Sequence, residues 1–379
     1  MVRFFSLLVV ATVWAATFAP AAAQRFRAVV PYDLEHGKPV ATVEVNGQRA
    51  RFLIDTGGPC SVSHTLAQRL GLRPIGAHQG HDSNGQPLDV QIARFDSLRL
   101  GGVTFSALDA VMWRESDPIE QFGVDGIVGF NLLQMGILKL SHRDRKAIFT
   151  TVAEGLGPDS VQPLAMLPDP FVPLVALRIG EHAVDTVMFD SGAQSLYEMS
   201  QRAYSRLAAD TAAVRHLATG FGILSMGAAG VEPPSVKHRL LLPELRVGDG
   251  RFAQLTTITT DGLDSRLGAD LLHWGDVAID YRRGLFYFLP FNRAARPNLH
   301  APEWDVGPIM TNGQITAGMV WDESLPIRCG DRITAVNGRP STPPAPGQMP
   351  SLSMPGDAAT LTFLSAATGR ESTITIRRR

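Results

Sequence analysis

Short apolar runs that alternate with polar residues fill most of the chain, and glycine, proline and asparagine separate them. Arg27 to Tyr32 reads as a first strand. Ala41, Val43 and Val45 then alternate with Thr42 and Glu44, the period of a strand with one buried face. Asn46-Gly47 follows, a pair suited to the positive φ angles of a two-residue hairpin, and Arg49 to Ile54 is the return strand. It ends in Phe52-Leu53-Ile54-Asp55-Thr56-Gly57. Gly58-Pro59 breaks the strand, and Ser63 to Leu70 has helical spacing with a stop at Gly71. Asp82-Ser83-Asn84-Gly85 marks a polar hairpin tip. Phe95 to Leu100 and Val103 to Val111 flank Gly101-Gly102, and Ile127-Val128-Gly129 comes before the closing strands Leu138 to Leu140 and Lys146 to Phe149.

The same order of elements then returns. Val175, Leu177 and Ile179 alternate with Ala176 and Arg178, Gly180-Glu181 turns the chain, and Val184 to Phe189 delivers Asp190 in Val187-Met188-Phe189-Asp190-Ser191-Gly192. Met199 to Leu207 is helical, and a glycine-rich segment from Gly220 to Gly230 stands where the first half has its hairpin tip. Leu267-Gly268 answers Val128-Gly129, and Val277 to Phe288 supplies closing strands. A single aspartate at a strand end is commonly a turn cap. Two in matching contexts of a repeated unit are a candidate site.

Composition narrows the picture. A chain of 379 residues suits two or three domains, and 45% hydrophobic content, 19% charged content and a net charge of -1 give no reason to expect nucleic acid or a polybasic membrane contact. Arg3, the apolar stretch Phe4 to Phe18 and Ala21-Ala22-Ala23 read as a secretory signal cut after Ala23. The stretch is shorter than a spanning helix requires, so a periplasmic or secreted protein without a stable membrane anchor is expected. Cys60 and Cys329 form no disulfide framework; Cys60, five residues after Asp55, invites a thiol reading, although a small buried side chain is the commoner role. His78 and His81 flank the first hairpin tip without a third ligand, so no metal is expected. The chain has no phosphate-cradling loop, nucleophile elbow or zincin motif, and no cofactor is expected.

From Ala28 to Pro290 the paired Asp-Thr-Gly and Asp-Ser-Gly runs, each with a later apolar-Gly signature, resemble the pepsin and retropepsin superfamily, and most of all bacterial retropepsin-like enzymes with both lobes in one chain. The resemblance implies an all-β fold of two homologous barrel lobes and a catalytic pair, Asp55 and Asp190, that activates a water to hydrolyse a peptide bond without a covalent intermediate. It implies that Thr56 and Ser191 tie the two loops together, that Gly57 and Gly192 present backbone amides to the carboxylates, and that Ser83, Asn84 and Gly85 form a flap over a peptide or protein substrate. Two departures matter. Arg266 stands where the second lobe should have an apolar residue. Gly58 and Ala193 stand where pepsins often have a hydroxyl donor to the carboxylate, and its loss raises the pKa, implying activity from mildly acidic pH towards neutrality.

Beyond Pro290 the character changes. Asn292 to Pro302 reads as a linker, and Cys329-Gly330-Asp331-Arg332-Ile333-Thr334-Ala335-Val336-Asn337-Gly338 resembles the Gly-Asp-x-Ile-x-x-Val-Asn-Gly run of bacterial PDZ domains, implying a small PDZ-like α/β domain that could take a peptide ligand by strand addition. The expected organisation is a signal peptide over 1–23, peptidase lobes over 24–155 and 156–291, a linker over 292–302 and a PDZ-like domain over 303–379. The alternative is an inactive peptide-binding scaffold that retains the peptidase fold.

Overall fold

The computed structural model describes residues 25–379 apart from 116, 118–119, 121–122, 155–160, 312 and 343–353. The apolar segment Phe4 to Phe18, the cut after Ala23, the 155/156 boundary and much of the proline-rich stretch after Pro340 lie outside the described residues. What is described is mostly β, with short α-helices at His64–Arg69, Phe130–Leu133 and Gln201–Leu207 and a 3-10 turn at Ala269–His273.

Local chemistry explains the elements. Asn46 and Gly47 take φ angles of 48° and 82° and close the hairpin between Lys38–Val45 and Gln48–Ile54, in which Val45 faces Gln48. Ser63 and Ser200 cap the two longer helices, their hydroxyls accepting from the Leu66 and Ala203 N–H groups. The strand alternation sends Val43, Val45, Phe52 and Ile54 inward, and Val175, Leu177, Val187 and Phe189 join the same buried cluster.

The two halves repeat one set of pairings. Gln48–Ile54 runs parallel to Gly126–Val128, and Ala183–Asp190 runs parallel to Ser265–Gly268. Ser61–Val62 and Tyr197–Ser200 each bridge the strand so formed to a long hairpin arm, Val103–Met112 or Gly250–Thr260. A six-stranded antiparallel sheet joins the halves. Arg27–Glu35, Lys146–Thr150 and Ile137–Ser141 come from the first; Gly275–Asp280, Leu285–Pro290 and Leu164–Leu167 come from the second. Its central seam pairs Leu140 with Val277 and Leu138 with Ile279. Leu164–Leu167 is absent from the sequence reading because a four-residue strand carries too little alternation to register.

A second buried cluster runs from Val306 to Ile376 and holds Ile315, Ile333, Leu361 and Phe363. It is built on the strands Val306–Thr311, Gln314–Val320, Arg332–Val336, Ala358–Leu364 and Glu371–Arg377, with no α-helix among the described residues. The segment 292–302 expected as a linker lies against the second half: Ala253 N–H donates to Pro297 O, Leu299 N–H donates to Ala253 O, and Arg296 pairs with the buried Glu244 carboxylate at 2.6 Å. Those backbone groups find partners only by lying against Gly250–Thr260.

The strand Arg215–Gly222 connects the two clusters, pairing Phe221 with Val320 and Gly222 with Met319, while Ile223 N–H donates to Gly318 O at 2.9 Å. The approach needs glycine, since a Cβ at Gly222 would lie 2.0 Å from Gly318 O. Arg239 adds a guanidinium stacked 4.4 Å over the Trp321 ring and a hydrogen bond to Trp304 O. Gly222→Val should therefore pry the strands apart, seen as faster amide exchange at 221–223 and 318–320 with the Leu361 and Phe363 core still protected; unchanged exchange at both strands would contradict this pairing.

Candidate active site

Each candidate acid sits where a strand is gripped by the segment threaded behind it. Asp55 follows Gln48–Ile54 and donates its N–H to Val128 O at 3.1 Å. Asp190 ends Ala183–Asp190 opposite Gly268. Behind each acid loop the threading residue must be glycine. A Cβ at Gly129 would lie 2.2 Å from the Pro59 carbonyl carbon, and one at Gly268 would lie 2.2 Å from Ser195 O.

The two loops then lock to each other. Thr56 Oγ1 donates to Phe189 O at 2.7 Å and accepts from Ser191 N–H at 3.1 Å; Ser191 Oγ donates to Ile54 O at 2.8 Å and accepts from Thr56 N–H at 3.1 Å. Both side chains are fully buried. The exchange satisfies four backbone groups that no strand partner reaches. It also forces the carboxyls together. Gly57 lies against Asp190, where a Cβ would be 2.6 Å from Cγ, and Gly192 lies against Asp55, where a Cβ would be 2.4 Å from Oδ2.

Backbone amides supply what the carboxyls accept. Asp55 Oδ1 accepts from Gly57 and Gly58 N–H at 2.8 and 3.1 Å, and Asp190 Oδ1 accepts from Gly192 and Ala193 N–H at 2.8 and 3.1 Å. Burial pushes the Asp55 carboxyl up to about 8, the Asp190 charge adds to the rise, and the Gly57 amide opposes it. Asp55 is a neutral acid over a wide range, hydrogen-bonded to a neighbour that can carry the charge.

The expected flap tip spans the two halves. Asp82 Oδ1 accepts from Asn84 and Gln86 N–H, at 2.9 Å each, to shape the turn. Asp82 Oδ2 accepts from Ala229 N–H at 3.2 Å, and Asn84 Oδ1 accepts from Ser225 Oγ at 2.9 Å. Asn84 is buried, and a Cβ at Gly262 would lie 2.8 Å from Ser83 O. Asn84 is thus brought against the glycine-rich segment of the second half, while Ser83 and Gly85 lie against Gly262 and Asp261. The residue that ties the tip down is Asp82, which the sequence reading placed only at the turn.

Beside the acids the halves differ. The first presents an apolar patch of Val40, Trp113, Val124 and Ile127, with Leu53, Leu88 and Ala228 packed on it. The second presents Arg266, paired with Glu198 at 2.8 Å and hydrogen-bonded to Thr260 Oγ1 at 2.9 Å. Patches assembled from four or more separated segments leave no local signal, although the misplaced arginine at 266 was visible. The other candidates stand apart from the pair's chemistry. Cys60 is buried, its sulfur accepts from Gly129 N–H at 3.2 Å, and burial pushes the thiol up to about 12, which suits packing behind the acid loop and not nucleophilic attack. His78 and His81 lie on the strand Gly76–His81, not on the turn, and odd spacing in a strand sends them to opposite faces.

Two outcomes follow. Thr56→Ala leaves Phe189 O and Ser191 N–H buried without partners and should cost on the order of 2 to 4 kcal/mol in denaturant unfolding; a loss below about 0.5 kcal/mol would contradict the lock. For Asp55 the folded state holds a proton that the unfolded chain has already lost between its ordinary carboxylate range and about 8, so this carboxyl drains stability as pH rises across that window. Asp55→Asn should therefore raise the melting temperature at neutral pH, by on the order of 2 kcal/mol of stability, and the gain should vanish below about pH 4.

A sequence-family model described as aspartyl protease matches residues 41–132. No curated protein matches the chain. The matched stretch contains Asp55, the hairpin tip at Asp82 to Gln86 and Gly129, so the first half is similar in sequence to aspartyl proteases.

Proposed function

We propose that this chain is an aspartic endopeptidase whose two homologous lobes bring Asp55 and Asp190 together, followed by a PDZ-like unit, and that it works in the periplasm or outside the cell. The observation that carries the reading is the reciprocal exchange between Thr56 and Ser191, which holds the two carboxyls against each other's glycine. Two turn-capping aspartates would have no need of it. The family match over 41–132 supports the first half of the site, and the repeated pairings support the second.

The pair works with one proton. The ionised carboxylate draws a proton from a water that attacks the scissile carbonyl, while the neutral carboxyl hydrogen-bonds the carbonyl oxygen. Neither carboxylate has a side-chain hydroxyl donor at Gly58 or Ala193, and Asp55 holds its proton up to about 8. Activity should therefore extend from mildly acidic pH to neutrality and fall as pH rises through about 8, where the pair loses its acid.

The docked hairpin tip closes over the site, with the Asp82 and Asn84 contacts opening to admit a peptide. The PDZ-like unit braces the strand that leads to the opposing hairpin, through Phe221 to Ile223. Incubation with a peptide library should show cleavage by the wild type between about pH 4 and pH 8, reduced at least ~1000-fold in Asp55→Asn and in Asp190→Asn. Cleavage surviving in either variant would remove the pair from the mechanism. A library left intact by the wild type at every pH, yet retained by the folded protein, would make the cleft a peptide-binding scaffold.

A further inference from the structure

The scaffold repeats itself, but the charge around the acids does not. Strand alternation puts Val187 and Phe189 in the core and Met188 and Asp190 on the opposite face. Arg266 is registered with Met188 and Leu267 with Phe189, so Arg266 shares the face of Asp190 while Leu267 enters the core. The equivalent position in the first half, registered with Leu53, is Ile127. Across the short bridging strand the difference is repeated: Ser61 faces Ile127, whereas Glu198 faces Arg266. The Asp190 side therefore carries a buried guanidinium and the Asp55 side carries a methyl-bearing side chain.

Arg266 is held rather than stray. One terminal nitrogen reaches Glu198 Oε2 at 2.8 Å and Thr260 Oγ1 at 2.9 Å, and Ser195 Oγ fixes the other Glu198 oxygen at 2.9 Å. Its Nε is buried without a partner among the described residues. A buried arginine at a position built for an apolar residue is expensive to keep for packing alone.

We infer that Arg266 is a positioning residue of the acid pair: it fixes the negative charge on Asp190 and leaves the shared proton on Asp55, so that Asp190 is the base towards water and Asp55 the acid towards the carbonyl. The inference rests on the peptidase reading for its chemistry. Asp190 takes a proton from water as the water oxygen bonds to the carbonyl carbon, and Asp55 gives its proton to the carbonyl oxygen, producing a neutral gem-diol. As the C–N bond breaks, Asp190 returns its proton to the leaving amine and Asp55 takes one from a diol hydroxyl, restoring the starting state.

The other groups around the pair fit this division. Lys38 is the cation whose field reaches Asp55, and it is the weakest influence there, behind burial and the Asp190 charge. Tyr281 is a phenol that burial, above all, keeps protonated. On the other side the fields of Glu198, Asp190 and Glu232, in that order, hold the charge on Arg266 against its burial. Glu232 is itself neutralised by Lys237 at 3.0 Å, which also meets Asp261 at 2.8 Å. Lys237 is thus already shared between two carboxylates, whereas Arg266 makes its ion pair with Glu198 alone.

The test is the pH profile of kcat/KM with Glu198→Gln, Arg266→Lys and Arg266→Met. Arg266→Met should raise the acid-side limb by about one to two pH units. Glu198→Gln should lower it, because the guanidinium is then less neutralised, and Arg266→Lys should return it to the wild-type position. Arg266→Met strands Glu198, so the neutral pair Arg266→Met with Glu198→Gln provides the same upward shift in a variant without a buried lone charge. A limb unmoved in the neutral pair, or moved the same way by Glu198→Gln, overturns the inference. Carbon-13 titration of the aspartate carboxyls in the wild type needs no turnover: Asp190 should ionise before Asp55, and the reverse order overturns the inference whether or not peptide is cut. That order with no cleavage would uphold the charge assignment and remove the peptidase reading.

Discussion

Everything in this molecule that bears on chemistry depends on holding two carboxyls closer than their charges would allow. Like charges at such range do not both ionise at modest cost, so the fold must supply binding energy enough to keep them there and must accept a proton as the third party. The Thr56 and Ser191 exchange does the first, with both side chains buried and each reaching a carbonyl of the other half. The elevated Asp55 carboxyl is the sign of the second. The remaining scaffold serves this pairing: the six-stranded sheet fixes the two halves, and Gly129 and Gly268 let a second segment pass directly behind each acid loop.

Symmetry gives proximity, but a reaction that moves protons in one direction benefits from knowing which carboxyl starts with the proton. A perfectly repeated scaffold would leave the two equivalent. Two departures from repetition lie on the acids' side: an apolar patch around Trp113 and Ile127 in one half, and Arg266 with Glu198 in the other. The cores behind them keep the same kinds of residue, Phe52 and Ile54 matching Val187 and Phe189.

Much of this was legible from residues alone because it is local. The period-two alternation, Asn46-Gly47 and the two acid runs are all contained in windows of ten residues or fewer, and the structure has them where the alternation puts them. The exchange between Thr56 and Ser191 was reached only through resemblance, since nothing in 135 residues of separation says that two loops meet. Less accessible still were features made by several segments at once. The hairpin tip was visible, but its docking through Asp82 to Ala229 was not. The stretch Asn292 to Pro302 has the composition of a linker, and its proline-rich backbone nonetheless finds partners along Gly250–Thr260. Composition reports what a segment can do alone, and these segments are not alone.

The C-terminal unit makes the same point about coupling. It pairs with the rest of the chain at Arg215–Gly222, with Arg239 stacked on Trp321 beside it, and the far end of that strand leads into the residues that receive the hairpin tip. Ile223 bonds to Gly318, Leu224 and Ser225 N–H groups bond to the Glu232 carboxylate, and Ser225 reaches Asn84. A continuous run of three residues, Ile223 to Ser225, thus joins the second buried cluster to the hairpin tip. Hydrogen-bonded strands move as units, so the proposed opening at Asn84 and Asp82 would require either that Leu224 and Ser225 release Glu232 or that the brace at Phe221 and Gly222 yields. Lys237, fully buried between Glu232 and Asp261, makes the first of these costly, since it would disturb a carboxylate paired out of water. The interface with the C-terminal unit, made by the pairing at Phe221 and Gly222, the Ile223 bond and the Arg239 contacts with Trp321 and Trp304, is the other element that would have to yield, and the proposed opening of the tip is thereby tied to a part of the chain outside the acid loops.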